Sequence, residues 1–294
     1  MHWPALASTS RAPARRAEGR AGRPSALRAG PALRASAGAA GLAVAGLAAG
    51  VLAASPALRW PVVARFLFNP AVLAGVATTV ELTVLSQVLA CAAGLAVALL
   101  GRSSSPAAAW LARLYIWVFR AVPLIVQLLF WFNIALVVPV LRLDAPLIGF
   151  QVPVNEVITG FGAALLGLGL HESAFMAEII RAGLLSVPAD QVDAAMDLGL
   201  SRGQAMRLVV LPQALRVIIP AAGNQVVGLL KASALVSVIG GGDLLTRTEY
   251  LYGENFQVIP LLAVATLWYL ALVGVFSALQ HLIEARLGGP AAAP

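Results

Sequence analysis

Charged residues, lysine and cysteine are all scarce in this sequence. Only 11% of the 294 residues are charged and 60% are hydrophobic, whereas soluble domains usually carry about 25% charged residues. The single cysteine, Cys91, excludes an intrachain disulfide and a metal site built on two cysteines. The single lysine, Lys231, follows a leucine, so the sequence has no G-x-x-x-x-G-K-[ST] phosphate loop. These shortages predict a polytopic membrane protein without an ATPase site of its own.

Six apolar stretches are long enough to cross a bilayer as helices, which takes roughly 20 residues each. In chain order they are 37–54, 71–100, about 121–141, 157–181, about 214–239 and about 257–280. The first is rich in alanine and glycine, and an amphipathic stretch at 106–119 leads into the third. The sequence therefore predicts an all-α fold with about six transmembrane helices.

Arginine is distributed unevenly between the segments that join these spans. With the N-terminus inside, the inner segments carry 15 basic residues and the outer loops carry four. Cytoplasmic loops are the ones that collect lysine and arginine, so we expect an inner-membrane protein with both termini in the cytoplasm.

The predicted spans also divide the chain into regions. Residues 1–36 hold seven arginines against Glu18. We expect them to be a disordered tail, although their composition is also typical of a targeting peptide. Residues 37–70 would form an extra span and an outer loop, 71–285 the main transmembrane domain, and 286–294 a C-terminal tail.

The stretch S-V-P-A-D-Q-V-D-A-A-M-D-L-G-L-S-R-G-Q-A-M-R-L-V-V-L-P, residues 186–212, is too polar for a span and falls on the cytoplasmic side. Pro188 can begin a helix, and Gly199 fits the left-handed position that closes many helices. Ser201 and Gln204 form a capping box for a second helix, which Pro212 would limit near Leu211. The prediction is two short helices joined by a glycine corner.

One face of the first of these helices carries small side chains. Ala194 and Ala195 let another surface approach the backbone closely, and acidic residues flank them: Asp190, Asp193 and Asp197. This pattern fits either a well-capped interfacial helix pair or a docking site for a cytoplasmic partner.

The same stretch resembles the EAA loop of ATP-binding-cassette (ABC) importer permeases. That pattern reads E-A-A, three residues, G, nine residues, an aliphatic residue, one residue, and L-P. Here it is Asp193-Ala194-Ala195, Gly199, Val209 and Leu211-Pro212, with conservative changes at Asp193 and Val209. Segments 76–88, 119–130, 172–191 and 211–235 resemble the polar amino acid branch of that family, and the likeness covers about 71–285. Ala121-Val122 and Ala232-Ser233-Ala234 depart from the usual residues of that branch, which weakens any assignment of a particular amino acid.

The resemblance implies a transmembrane domain like that of type I ABC importers, through which a polar amino acid or close analogue enters the cytoplasm. It implies that residues 188–212 fit a groove on a separate ATPase subunit, where ATP and Mg bind, so this chain holds no cofactor. It also implies a second permease subunit, identical or not, and an extracytoplasmic substrate-binding protein. The coupling residues would be Asp193, Ala194, Ala195, Gly199, Leu211 and Pro212.

Polar residues inside the predicted spans are candidates for the substrate path, because isolated charges are expensive in a membrane. Glu81 and Lys231 fall at similar depths, so we expect them to pair or to face the cavity, with a structural ion pair or snorkelling as alternatives. The spacing of Glu178 and Arg181 predicts a helical ion pair. The path candidates are Glu81, Gln127, Glu172, Asn224 and Lys231, and Asn224 with Gln225 can instead hydrogen-bond between helices.

Three other functions fit parts of the sequence. G-G-G-D at 240–243 matches the G-x-G-D pattern of membrane aspartyl proteases, but that chemistry needs a second aspartate sharing a proton with the first. The remaining aspartates fall in predicted loops. An ATP-independent carrier or channel would need no docking loop, and uptake by vesicles that lack ATP would distinguish it. Binding of nucleic acid by the basic tail is not expected, because no recognisable module accompanies it.

Overall fold

The structure, a computed structural model, describes residues 43–44, 46–47, 50–51, 53–145 and 148–286. The chain divides into two compact units at Arg59 and Trp60. In the first unit, the described residues between 43 and 54 are helical, and a 3-10 turn follows at Pro56–Leu58. The expected tails at 1–36 and 287–294, and about half of the expected span at 37–54, lie outside the described residues.

The second unit is built almost entirely of helices. Its α-helices are α1 Trp60–Leu67, α2 Pro70–Gly101, α3 Pro106–Ala121, α4 Leu124–Phe132, α5 Val154–Val157, α6 Gly160–Leu185, α7 Ala189–Asp197, α8 Arg202–Ala205, α9 Leu211–Ala232, α10 Leu244–Asn255 and α11 Val258–Arg286. A π-helical turn, Met206–Val210, joins α8 to α9, and 3-10 turns lie at Ile134–Leu136 and Ser233–Ile239. The all-helical prediction misses a short antiparallel hairpin, β1 Val140–Ala145 and β2 Ile148–Pro153, in which Val140 pairs with Pro153.

Four helical segments of the described chain are long and apolar enough to cross a membrane: α2, α6, Arg202–Ile239 and α11. Helices α3 and α4 qualify together as a fifth, but they are bent by 101° at their junction. The prediction of a helical membrane protein is confirmed, with four of the six predicted spans matching continuous helices.

The third predicted span, about 121–141, is wrong as a continuous helix. The helical pair begins earlier, at Pro106 after the capping residue Ser105, and ends at Phe132. Pro123 breaks it because proline has no N–H to continue the helical hydrogen bonds. The residue before a proline is pushed towards extended backbone, and Val122 has φ −81° and ψ 128°.

Small residues allow the long helices to pack closely. A Cβ atom added at Gly94 of α2 would lie 2.7 Å from the Cβ of Met176 and 2.9 Å from the carbonyl oxygen of Ser173, both on α6. A Cβ atom at Gly183 of α6 would lie 2.3 Å from the side chain of Ile218 on α9. Close backbone approach at small residues is the usual basis of helix association in membranes. The core of this unit therefore forms where α2, α6 and α9 meet.

Candidate functional site: the coupling segment and the polar path

Helix α7 ends in the turn that the sequence predicts. Gly199 has φ +86°, in the left-handed region. Its N–H donates to the carbonyl of Met196 at 2.9 Å, and the N–H of Leu200 donates to the carbonyl of Ala195 at 3.2 Å. This pair of bonds is the Schellman motif, which satisfies the last carbonyls of a helix. The predicted glycine corner is confirmed.

The capping box at the start of α8 is also confirmed. The Ser201 hydroxyl accepts from the backbone N–H of Gln204 at 3.4 Å, and the backbone N–H of Ser201 donates to Oε1 of Gln204 at 2.8 Å. The two bonds satisfy donors that would otherwise be free at a helix start. Residues 189–205 thus form two short helices at a fixed corner, which we call the coupling segment together with the π-helical turn.

The prediction that Pro212 ends the second helix is wrong. The helix continues through the π-helical turn into α9, and Pro212 occupies the first turn of α9. The N–H of Leu211 bonds to the carbonyl of Met206, five residues back, rather than four. We infer that this widened turn makes room for the proline ring, which would clash with a carbonyl in a regular helix.

A side-chain bridge ties α7 to the start of α9. The amide nitrogen of Gln213 lies 2.7 Å from Oε1 of Gln191 and 3.0 Å from the carbonyl of Val209. The amide donates to both oxygens. Helix α7 is therefore joined to α9 by a side-chain hydrogen bond as well as by the backbone.

The predicted coupling residues differ in exposure. Ala195 is 5% exposed, so this chain already covers its methyl group. Asp193, Ala194, Gly199, Leu211 and Pro212 are exposed. Leu198, which the sequence pattern did not single out, is 85% exposed beside the glycine corner. An exposed apolar side chain therefore follows directly after α7, and the aspartates of α7 are exposed along the helix: Asp190, Asp193 and Asp197.

Among the path candidates, Glu172 has the environment that most resembles a ligand site. It lies in the middle of α6, is 7% exposed, and its Oε1 atom has no hydrogen-bond partner among the described residues. Its polar neighbour is the side chain of Gln225 on α9. A buried carboxylate oxygen without a partner is costly, so a donor arriving from outside the chain would be bound strongly.

Gln127 is buried at the bend between α3 and α4. Its amide nitrogen donates to the carbonyl oxygens of Phe119 at 3.0 Å and Val122 at 2.9 Å, and it lies 3.0 Å from Nδ1 of His171 on α6. The two amide hydrogens thus serve the two carbonyls, and His171 of α6 contacts the same amide nitrogen. This arrangement fixes the bend and joins it to α6.

The remaining polar residues of the predicted spans have simpler environments. The amide nitrogen of Gln280 on α11 donates to Oδ1 of Asn224 on α9 at 3.0 Å, which confirms the interhelical bond predicted for Asn224. Glu178 and Arg181 form the predicted ion pair at 2.8 Å. Glu81 and Lys231 are both exposed and form no ion pair with each other within the described chain.

The aspartate of the G-G-G-D pattern caps a helix. Asp243 accepts from the N–H groups of Leu245 and Thr246 and from the Thr246 hydroxyl at the start of α10. The Thr79 hydroxyl of α2 accepts from the N–H of Leu244 at 3.0 Å, which anchors the same helix start. Burial raises the pKa of Asp243 above its ordinary value, against the lowering effect of these hydrogen bonds. The D-x-x-T spacing of a helix start was the signal for this role in the sequence.

Residues 90–289 match the family described as the binding-protein-dependent transport system inner membrane component. The chain belongs to this family. It is a membrane permease subunit of the ABC importer class, as the coupling segment and the long apolar helices predict.

Two curated relatives of this permease carry arginine transport in their names. It is 34% identical over 249 residues to the arginine transport system permease protein ArgU of Corynebacterium glutamicum, covering 84% of this chain and 78% of the relative. It is 33% identical over 219 residues to the arginine transport system permease protein ArtQ of Bacillus subtilis, covering 74% and 93%. A solved crystal structure of an amino acid ABC transporter with histidines aligns at a TM-score of 0.65 with 33% identity, covering 74% of this chain and 95% of that one.

Proposed function

We propose that this permease admits a polar amino acid or close analogue into the cytoplasm, driven by ATP hydrolysis on a separate ATPase subunit. The observation that carries the proposal is the coupling segment: two short capped helices, exposed at Ala194 and Leu198, the second of which runs through the π-helical turn into α9. The names of the amino acid permeases that match most of the chain support the substrate class.

The ATPase subunit would dock on α7. Ala194 lets a groove of the partner reach the helix backbone, Leu198 supplies exposed apolar area, and the aspartates favour a basic rim on the partner. Closure of two ATPases on ATP would move α7, and the bond between Gln191 and Gln213 would carry that movement into α9. The full assembly would add a second permease subunit and an extracytoplasmic binding protein.

The proposed orientation of the chain in the membrane rests on the distribution of its basic residues. The 15 basic residues on one side and four on the other support an orientation with the coupling segment and both termini in the cytoplasm. The ATPase subunit, which needs cytoplasmic ATP, would then lie on the same side of the membrane as α7.

Within the membrane, we assign Glu172 as the group that meets the substrate's ammonium. Every free amino acid carries such a cation, and the buried Oε1 atom of Glu172, beside Gln225 of α9, has no hydrogen-bond partner in the described part of the chain. Separation of these two helices during the transport cycle would open Glu172 to a central cavity. Glu81 and Lys231, exposed on the single subunit, would line the wider part of the same path.

The test is uptake by proteoliposomes that contain the permease, its ATPase and its binding protein. We expect uptake of a labelled polar amino acid only when ATP is supplied on the side of the membrane where the ATPase subunit lies. Equal uptake without ATP would overturn the proposal and favour an ATP-independent carrier.

The site assignment is tested with Glu172→Gln in the same vesicles. Loss of the charge should reduce uptake by about tenfold or more, since hydrogen bonds to charged groups contribute about 1.5–3 kcal/mol. Glu254→Gln, the same change at an exposed residue of α10, is the control. ATPase binding should be unaffected in both variants, and full uptake by the Glu172 variant would contradict the assignment.

A further inference from the structure

A basic cleft with aromatic walls lies between α3 and α6. Its volume is about 490 Å³, and its lining includes Arg113, Trp117 and Arg120 of α3 and Phe175 and Glu178 of α6. The path candidates named above do not line it. The cleft is therefore a site separate from the proposed substrate path.

Among the described residues, the cleft carries more positive than negative charge. The carboxylate of Glu178 is held by Arg181 at 2.8 Å, while neither Arg113 nor Arg120 forms an ion pair with a described residue. Two arginines and one glutamate therefore line the cleft, and a third arginine outside the lining pairs with that glutamate. Unpaired cations at the edge of an apolar bundle are stabilised only by water or by an anion.

Both arginines are partly fixed in position before any ligand binds. The guanidinium of Arg120 lies over the ring of Phe175 at 5.2 Å, a cation–π contact. Nε of Arg113 donates to the carbonyl of Ala109 at 3.2 Å, which leaves its terminal nitrogens for other acceptors. The two residues are seven positions apart and so lie two turns apart on one face of α3. Their forks suit an oxyanion such as phosphate.

The cleft lies at the end of the bundle that carries the coupling segment. Ala112, one residue before Arg113, is buried, and a Cβ atom on Gly101, the last residue of α2, would lie 3.6 Å from its methyl group. Glu178 lies within the last two turns of α6, which α7 follows directly. The cleft is therefore at one membrane interface, where lipid headgroups are found.

The surface beside the cleft is apolar and aromatic. Trp117 is 67% exposed and Trp110 is 56% exposed, and both belong to α3 together with the exposed Leu111 and Leu114. Tryptophan is enriched at membrane interfaces, where its ring meets both headgroups and acyl chains. A ligand that suits the whole surface has an anionic head for the arginines and apolar chains for this face.

We propose that the cleft binds the phosphate of an anionic phospholipid in the leaflet that faces the coupling segment. Arg113 and Arg120 hold the phosphate, Phe175 supports Arg120, and the acyl chains lie along the tryptophan face of α3. Basic pockets between transmembrane helices take anionic headgroups in this way. The inference does not depend on which substrate the permease carries.

The test is native mass spectrometry of the detergent-purified permease–ATPase complex, supplied with phosphatidylglycerol or phosphatidylcholine. The complex should retain phosphatidylglycerol in about tenfold excess over phosphatidylcholine, because only the former presents net negative charge to the arginines. The double variant R113Q/R120Q should lose that preference. R113K/R120K, which keeps both charges, should retain most of it.

Arg286→Gln is the matched control, since Arg286 ends α11 outside the cleft lining. It should bind phosphatidylglycerol like the unchanged protein. Equal retention of the two lipids by the unchanged complex, or full retention by a monodisperse R113Q/R120Q complex, would overturn the proposal. Displacement of the lipid by millimolar inorganic phosphate would also overturn it, because the site would then take free anions. Binding is measured without transport, so failure of the transport function leaves this result unaffected.

Discussion

The side chain of Gln127 makes the hydrogen bond that Pro123 cannot make to Phe119. In a continuous helix the carbonyl of residue 119 accepts from the N–H of residue 123, and proline has none. The amide nitrogen of Gln127 lies 3.0 Å from that carbonyl oxygen and 2.9 Å from that of Val122. One buried amide therefore satisfies two carbonyls at a bend of 101°.

The first prediction is that Gln127→Leu destabilises the bend. The variant leaves two carbonyls without donors in an apolar environment, at a cost of about 1–3 kcal/mol for each fully buried group. Thermal inactivation of the detergent-purified complex, followed as the monodisperse fraction, should shift to lower temperature.

Pro123→Ala provides the matched test, because alanine restores an N–H at residue 123. The two changes share the Phe119 carbonyl, so their effects should not add. Gln127→Leu should cost less in the Pro123→Ala background than in the unchanged protein. Strictly additive effects would show that Gln127 acts through some other contact.

Gly199, Pro212 and Pro123 show where reasoning from the sequence succeeded and where it failed. The corner at Gly199 was predictable because left-handed backbone strongly favours glycine and the capping box beside it is local. The outcome at Pro212 was not, because the π-helical turn Met206–Val210 has no local sequence signal. The bend at Pro123 was missed because hydropathy gives the length of an apolar run but not its path.

For the charged residues of the spans, the sequence likewise predicts the depth of a residue in the membrane but not the helix face that it occupies. Counting residues from a helix end placed Glu81 and Lys231 at one depth, but the face that each occupies depends on tertiary packing. The structure leaves both exposed on this subunit. Glu178 and Arg181 were predictable because they are three residues apart on one helix, so their contact needs no tertiary information.

The second prediction concerns docking of the ATPase. Ala194→Trp places a large ring on an exposed position of α7, so the permease should fold and reach the membrane normally. Close contact with a partner groove should be blocked, and copurification of the ATPase should fall by about tenfold, the effect expected of a change at an interface hot spot.

Ala107→Trp is the control for this variant. Ala107 is exposed on α3, outside the coupling segment, so the same enlargement there should leave ATPase binding intact. Normal ATPase binding by the Ala194 variant would contradict docking through α7.

The third prediction concerns the cap of α10. Asp243→Ala removes an acceptor that serves the N–H groups of Leu245 and Thr246, which should cost about 0.5–2 kcal/mol. Asp243→Asn keeps one acceptor oxygen and removes a buried charge, so it should be less harmful. Thermal inactivation of the purified complex measures both, with Glu254→Ala at an exposed residue of α10 as control. If the asparagine variant were as unstable as the alanine variant, the charge rather than the cap would be the essential feature.

The last prediction concerns the contact between α2 and α6. Gly94→Ala adds a Cβ atom that would lie 2.7 Å from Met176 and 2.9 Å from the Ser173 carbonyl oxygen. Neither atom can move away easily, because one is the first side-chain atom of a buried residue and the other belongs to the backbone. The helices must therefore separate, at a cost of about 1–3 kcal/mol, as expected for an overpacked core.

The matched control is Gly274→Ala in the middle of α11, where an added Cβ atom meets nothing within 4 Å on this chain. Replacing a helical glycine by alanine without a clash stabilises a helix by about 0.5–1 kcal/mol. The identical substitution should thus lower the inactivation temperature at Gly94 and leave it unchanged or raise it at Gly274. Equal effects at the two positions would show that backbone flexibility, and not close helix packing, is what glycine provides at Gly94.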